Sequence, residues 1–186
     1  RHQSKLDMRM NKNIELTASE ILNNYSELEL AKIFYEYSDL RNSRSIAKLI
    51  INKRNESKIN STKQFNNILF PILSKGYENK TLAKIYQALR IEVNDEIEVL
   101  KQLLVQLPDV IKIGGRVSFI TYHSVEDRLI KRFIKNGCFA LEPMKDAFGK
   151  TNLPFNKSFK FKVPSKEEIK KNNRSRSAKL RSAVRI

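Results

Sequence analysis

The chain of 186 residues has one cysteine, Cys138, and no tryptophan. A single thiol excludes an intrachain disulfide framework and suits a reducing compartment, so a cytoplasmic location is expected. Glycine and proline number five each, too few for a fibrous or disordered chain. No apolar run approaches the roughly 20 residues needed to cross a bilayer, and no signal-peptide pattern opens the sequence. Two distant histidines and one cysteine make a poor metal site, so no metal is expected. Acids are also scarce: 36 Lys and Arg face 20 Asp and Glu, giving +16. That imbalance points to a polyanion, nucleic acid before a membrane surface, or else to a solvated lysine-rich exterior. Residues 157–186 hold 11 Lys and Arg against Glu167 and Glu168, a local charge of +9.

What is present first is helical. Residues 1–13 are polar and carry no helix signal. Thr17 with Glu20, Ser26 with Glu29 and Ser61 with Gln64 each have capping-box spacing. Leu30, Ile33, Phe34 and Tyr37 follow the spacing of one buried helical face, and Ile46, Leu49 and Ile50 mark a further helix ending near Arg54. Phe65, Ile68, Leu69 and Ile72 supply another stripe, which Pro71 should end or kink. After Gly76, Thr81 is placed to cap a helix through Ile85 and Leu89. Its pattern runs on through Val93, Ile97, Leu100 and Leu104 to Pro108.

The character changes at Gly114-Gly115. Arg116–Tyr122 is β-prone, and a helix is expected from about Val125 to Asn136. Gly137–Phe155 reads as loop, and Phe159–Val163 alternates like a strand. Ser165–Glu168 has capping-box spacing, "NNRSRS" reads as loop, and Lys179–Ile186 reads as a last strand. Three strands make a poor sheet alone. They look like the closing part of a larger α/β sheet, so the sequence is expected to be a piece of a longer protein.

Four motifs occur in order: "LDMRM" (6–10), "YQALRIEVNDEIEVL" (86–100), "GGRVSFITYHSVEDRLIKRF" (114–133) and "NNRSRSAKLRSA" (172–183). Together they resemble the bacterial ribosomal RNA methyltransferase family called RsmH, formerly MraW. Asn11, Tyr122 and Asn173 stand where the family usually has Asp, Phe and Pro. The resemblance implies a Rossmann-like methyltransferase domain of the α/β class with an all-helical domain inserted. It implies methyl transfer from S-adenosylmethionine to the 4-amino group of a cytidine in small-subunit ribosomal RNA, with that RNA or the small subunit as partner. The family carries its glycine-rich cofactor loop and acidic ribose-binding residue upstream of "DMRM". Neither is found here, so the cofactor is expected to be held mainly by residues outside this sequence, and the 186 residues alone are expected to be inactive. The implied division is a connecting loop over 1–13, the helical insertion over 14–107 and the methyltransferase domain's last strands and helix over 108–186.

A cytosine 4-amino group is a weak nucleophile that must be oriented and must lose a proton. His123, Glu126 and Asp127 cluster at a strand end and are the candidate acceptors. Asp7, beside Arg9, is a second candidate through the family's placement of that loop. Ser124, Glu126 and Asp127 also suit a plain helix start, in which Ser124 caps and the acids answer the dipole, and His123 suits a structural role. Arg128, Lys131, Arg132 and Lys135 form either a phosphate-binding or a solvated helix face. Arg9 either binds phosphate or pairs with Asp7. Tyr86, Gln87, Arg90 and Asn94 share a helix face, expected to make polar contacts between domains, with RNA contact second. Arg174, Arg176, Lys179 and Arg181 alternate with small residues, as cations positioning phosphates along an extended backbone would. Otherwise they form a basic surface loop. A non-enzymatic RNA-binding module is the alternative to the enzyme.

Overall fold

A computed structural model describes residues 4–143, 145, 148–149, 151 and 153–186. They fold as two compact units, residues 1–96 and 97–186. This division lies 11 residues before the 107/108 boundary that the resemblance implies.

The first unit is helical: α1 (Ala18–Asn24), α2 (Glu27–Ser38), α3 (Ser43–Glu56), α4 (Thr62–Leu69) and α5 (Glu78–Asn94). Three of the four expected capping boxes form, with the side chains of Thr17, Ser26 and Ser61 accepting from the N3 amides and the N3 side chains reaching back, whereas Ser165 only accepts from the Glu168 amide. Phe34, Ile46, Ile50, Phe65, Ile85 and Leu89 are buried completely in one core. Burial of each such side chain contributes about 1.5–3 kcal/mol. Pro71 ends α4, and Phe70–Ile72 continues as a single 3-10 turn. One expectation fails and one is modified. Thr81 does not cap α5, which starts a turn earlier behind Tyr77 without a side-chain cap. The helical pattern does continue to Pro108, but as a second helix, because Asp95 takes a left-handed φ of 50° and closes α5 through its N–H to Ile91 and Glu92 carbonyls.

The second unit begins in α6 (Glu96–Val110), then has β1 (Arg116–Thr121), α7 (Ser124–Asn136), β2 (Phe155–Lys157), α8 (Lys166–Lys171) and β3 (Lys179–Arg185). The strands form an antiparallel sheet in the order β1-β3-β2. Leu104, Leu129, Ile130, Phe133, Ile134, Phe155 and Ala183 make its core, with Ile97, Leu100 and Leu107 of α6 packed against them. The helix α7 carries an apolar stripe, Val125, Leu129, Ile130, Phe133 and Ile134, and Gly137 ends it at φ 68°. The fold is thus α/β with eight helices and one three-stranded antiparallel sheet among the described residues.

Three readings of this unit are corrected. The strand that pairs with the other side of β3 is Phe155–Lys157, which starts at the last residue of the segment expected to be loop, because buried Phe155 anchors it there. Phe159–Val163 forms no strand and makes one bridge, Lys162 to Leu180. "NNRSRS" is not extended: Asn173–Ser177 is a 3-10 helix, started by the Asn172 side chain accepting from the Arg174 amide. The expected alternation of Arg174 and Arg176 along a strand therefore does not arise.

Candidate strand-end site

The sharp turn from β1 into α7 assembles the first candidate cluster. His123, not Ser124, occupies the N-cap: its backbone is extended, and its Nδ1 accepts from the Glu126 amide at 3.4 Å. With Nδ1 used as an acceptor, the neutral ring carries its proton on Nε2. Nε2 is 3.1 Å from Glu126 Oε1, yet the approach is misaligned, so Nε2 remains a buried nitrogen without a hydrogen bond. The contact is an electrostatic one. The other Glu126 oxygen, Oε2, accepts from the Tyr122 amide at 3.2 Å. Burial pushes the Glu126 pKa up, but His123 and the backbone amides outweigh it, and the carboxyl sits below its ordinary value.

Asp127 lies on the next step of the helix and looks toward the sheet. Lys179 pairs with Thr121 and Arg181 with Phe119 in the antiparallel register. Residues two apart on a strand share a face, so both cations point to the same side. Arg181 donates to Asp127 in a fork, Nε to Oδ1 at 2.7 Å and Nη2 to Oδ2 at 3.1 Å, and Lys179 adds a bond to Oδ2 at 3.2 Å. The Asp127 side chain is only 10% exposed, that of Arg181 15% and that of Lys179 38%. Burial raises the Asp127 pKa, whereas hydrogen bonds and charge from Arg181 and Lys179 lower it further, leaving the carboxyl below its ordinary value. Asp127 therefore stays ionised and ties α7 to β3.

In the first unit Asp7 makes a similar cluster by itself. Arg9 grips it through Nε (2.7 Å) and Nη2 (3.2 Å), and Lys12 bonds Oδ2 at 3.0 Å. Arg9 Nη1 donates to the carbonyls of Ile14 and Lys12. Every nitrogen of the Arg9 side chain is thus engaged locally. Hydrogen bonds from Arg9, then Lys12, hold the Asp7 carboxyl well below the usual range. The loop is also tied to α5, because Asn94 accepts from the Met10 amide (2.7 Å) and donates to the Met8 carbonyl (2.9 Å). The remaining polar residues of that helix face also find partners in the first unit. Tyr86 bonds Asn66, Gln87 the Tyr37 carbonyl, and Arg90 forks onto Glu96. Of these four residues, Asn94 joins the helix to the 1–13 loop, the segment expected to connect to the methyltransferase domain.

The basic residues divide by environment. Arg174 and Arg176 are exposed on the 3-10 turn, Lys131 is exposed on α7, and Arg128 and Arg132 are half-buried there. Lys179 and Arg181 serve Asp127. The Phe161 ring lies 5.2 Å from the Arg181 guanidinium and 5.7 Å from Lys179 Nζ. The interleaved Lys and Phe residues of 157–162 were the available signal. Gly114-Gly115 sits between α6 and β1, and its amides are spent on the Arg185 and Lys112 carbonyls. A Cβ at Gly115 would meet Lys112 O at 2.8 Å, so this glycine serves a helix-to-strand turn. Among the described residues no group of three His, Cys, Asp or Glu side chains could hold a metal, and no helix is long and apolar enough to cross a membrane.

Comparison with known proteins adds to this geometry. The model of the MraW methylase family matches residues 1–186. A protein of Christiangramia forsetii called ribosomal RNA small subunit methyltransferase H is 52% identical over 186 residues, all of this chain and 62% of that protein. Its namesake in Flavobacterium psychrophilum is 50% identical over 183 residues, 98% of this chain and 63% of that protein. The one in Bacteroides fragilis (strain ATCC 25285) is 47% identical over 184 residues, 98% of this chain and 60% of that protein. The chain therefore spans less than two thirds of the length of these relatives. Matched by the family model from end to end and about half identical to these relatives, it belongs to the MraW methylase family.

Proposed function

We propose that the protein to which this chain belongs methylates small-subunit ribosomal RNA, transferring a methyl group from S-adenosylmethionine to the 4-amino group of a cytidine. The carrying observation is the 52% identity, over all 186 residues, to a protein named as a small-subunit ribosomal RNA methyltransferase. We read the sheet as the closing part of a Rossmann-like domain and residues 14–107 as an inserted helical domain with a role in RNA recognition.

S-adenosylmethionine supplies the methyl group when bound. The described residues do not fit it: the one glycine pair has spent its amides, and the β1–α7 turn presents acids and a histidine without a glycine. The chain's own part lies on the acceptor side. Glu126 is the reachable carboxylate of the strand-end cluster, with its side chain 30% exposed against 10% for Asp127. It orients the amine and takes its proton. An exocyclic amine that gains an alkyl group becomes strongly acidic, so a carboxylate of low pKa suffices as acceptor. His123 and Asp127 are positioning residues: His123 caps α7 beside Glu126, and Asp127 fixes the helix to β3. Asp7, braced by Arg9 and Lys12, is the second candidate acceptor. Arg128, Lys131, Arg132, Arg174 and Arg176 are proposed RNA-side cations, with Arg174 and Arg176 exposed on the tail, whereas Arg9 is held by Asp7, and Lys179 and Arg181 by Asp127.

The test is incubation of the full-length natural protein with methyl-labelled S-adenosylmethionine and small ribosomal subunits, followed by nucleoside analysis. Label in N4-methylcytidine is the expected result. Tight RNA binding without label would favour a non-enzymatic RNA-binding module.

A further inference from the structure

The second unit holds a cavity of about 420 Å³ between α7 and the sheet. This volume lies in the range of about 300–1,000 Å³ typical of small-ligand sites. Its lining includes Phe155, a core residue that is 1% exposed. Its walls include Phe159 and Phe161, and Phe161 is 38% exposed. Lys131, Lys135, Lys157 and Lys160 also line it, and among the described residues no acid does. None of these four lysines is ion-paired with a described residue. Arg181 lines the same cavity with its guanidinium held in a plane by Asp127.

We propose that this cavity receives one unstacked nucleotide of single-stranded RNA, its base against Phe159 and Phe161 and its flanking phosphates on the four lysines. The chemistry argues for each part. Aromatic rings offer a stacking surface to any base, and cations around them follow the backbone on either side. A buried pair such as Asp127–Arg181 fixes a flat cation at the cavity wall without a side-chain entropy cost on binding. A base held in a duplex is stacked and cannot enter, so the ligand is a single strand or a loop. The segment that builds the wall, Lys157–Lys162, interleaves Lys and Phe, and its Lys162 Nζ lies 5.1 Å from the Phe159 ring. The choice of RNA as the polyanion rests on the proposed function; the cavity and its lining do not.

The experiment compares the full-length natural protein with Phe161→Ala, Phe161→Leu and a Lys157→Gln/Lys160→Gln double variant. Each is titrated with a fluorescein-labelled oligocytidylate of about eight nucleotides, within usual strand-site sizes, and with an abasic strand carrying the same number of phosphates. Native protein should prefer the base-bearing strand by about tenfold, and either Phe161 variant should abolish the preference. Phe161→Leu keeps the apolar bulk, so its loss of preference reports the ring and not the fold. The lysine variant should weaken both strands and flatten the salt dependence while keeping the preference. Equal affinity of native protein for the two strands would overturn the proposal. So would free cytidine monophosphate competing as well as the strand, which would mark a mononucleotide site. Discrimination without methyl transfer would sink the proposed function and leave this site standing; methyl transfer without discrimination would do the reverse.

Discussion

The molecule builds the same trio twice, an aspartate gripped by an arginine fork and a lysine, and uses it differently. Asp7, Arg9 and Lys12 lie within six residues of one another and stay part-exposed. Their ion pairs shape a loop. Asp127, Lys179 and Arg181 are separated by 52 and 54 residues and are mostly buried. Their ion pairs join a helix to a strand that arrives much later in the chain. Exposed ion pairs are screened by water and contribute little, whereas removing one partner of a buried pair strands a charge in a poor solvent. The same chemistry is therefore local ordering in one unit and tertiary closure in the other.

The sharpest way to break this comparison is Asp127→Ala. It should cost about 3 kcal/mol of stability, read as a lower urea midpoint with an unchanged slope. Asp7→Ala should shift the midpoint far less. Equal shifts would mean that burial does not separate the two clusters.

Acidity sharpens it further. The folded pKa of Asp127 is lowered from its ordinary value of about 3.9. Its contribution is therefore complete above that unfolded value and is lost as pH falls through the lower folded one. Stability of the native protein and of Asp127→Asn should differ at pH 7 and converge on acidification below about pH 4. A gap that widens on acidification would contradict the ion pair.

A smaller effect concerns the tail. Arg174→Gln with Arg176→Gln should leave stability unchanged. On a single strand the pair should reduce the salt slope of RNA binding by about 0.7 for each phosphate left without its arginine. Arg181→Gln should instead lower stability, since it unpairs Asp127. An Arg181 variant as stable as native protein, but with the flattened salt slope, would return that residue to the phosphate-binding group. The smallest effect is expected for Lys12→Gln, whose side chain is 67% exposed. Its unfolding midpoint should be native within error.

How much could be read from the sequence follows the same division between local and distant causes. Three of the four capping boxes and the apolar stripes were legible because donor, acceptor and pattern lie within a few residues. Asp7 with Arg9 was legible for the same reason. The grip of Arg181 on Asp127 was not, because only the β1–β3 register brings them together. β2 escaped notice because three residues with one apolar side chain carry no period, and burial of Phe155 decides the pairing. The 3-10 turn at Asn173–Ser177 was missed although its cause is local, since Asn172 can cap a turn or sit in a loop equally well. The histidine cap at His123 misled for a related reason: serine is the commoner cap, and Ser124 stood one residue away.

The proposed reaction depends most on the strand-end cluster acting on the acceptor side of methyl transfer. The direct measurement is the single-turnover rate of the full-length protein on small ribosomal subunits, beside its affinity for S-adenosylmethionine, for native protein and Glu126→Gln. The rate should fall by at least about 100-fold, the lower end for a general base, with cofactor affinity unchanged. An unaltered rate would contradict the account and leave His123, Glu126 and Asp127 as a helix start and nothing more.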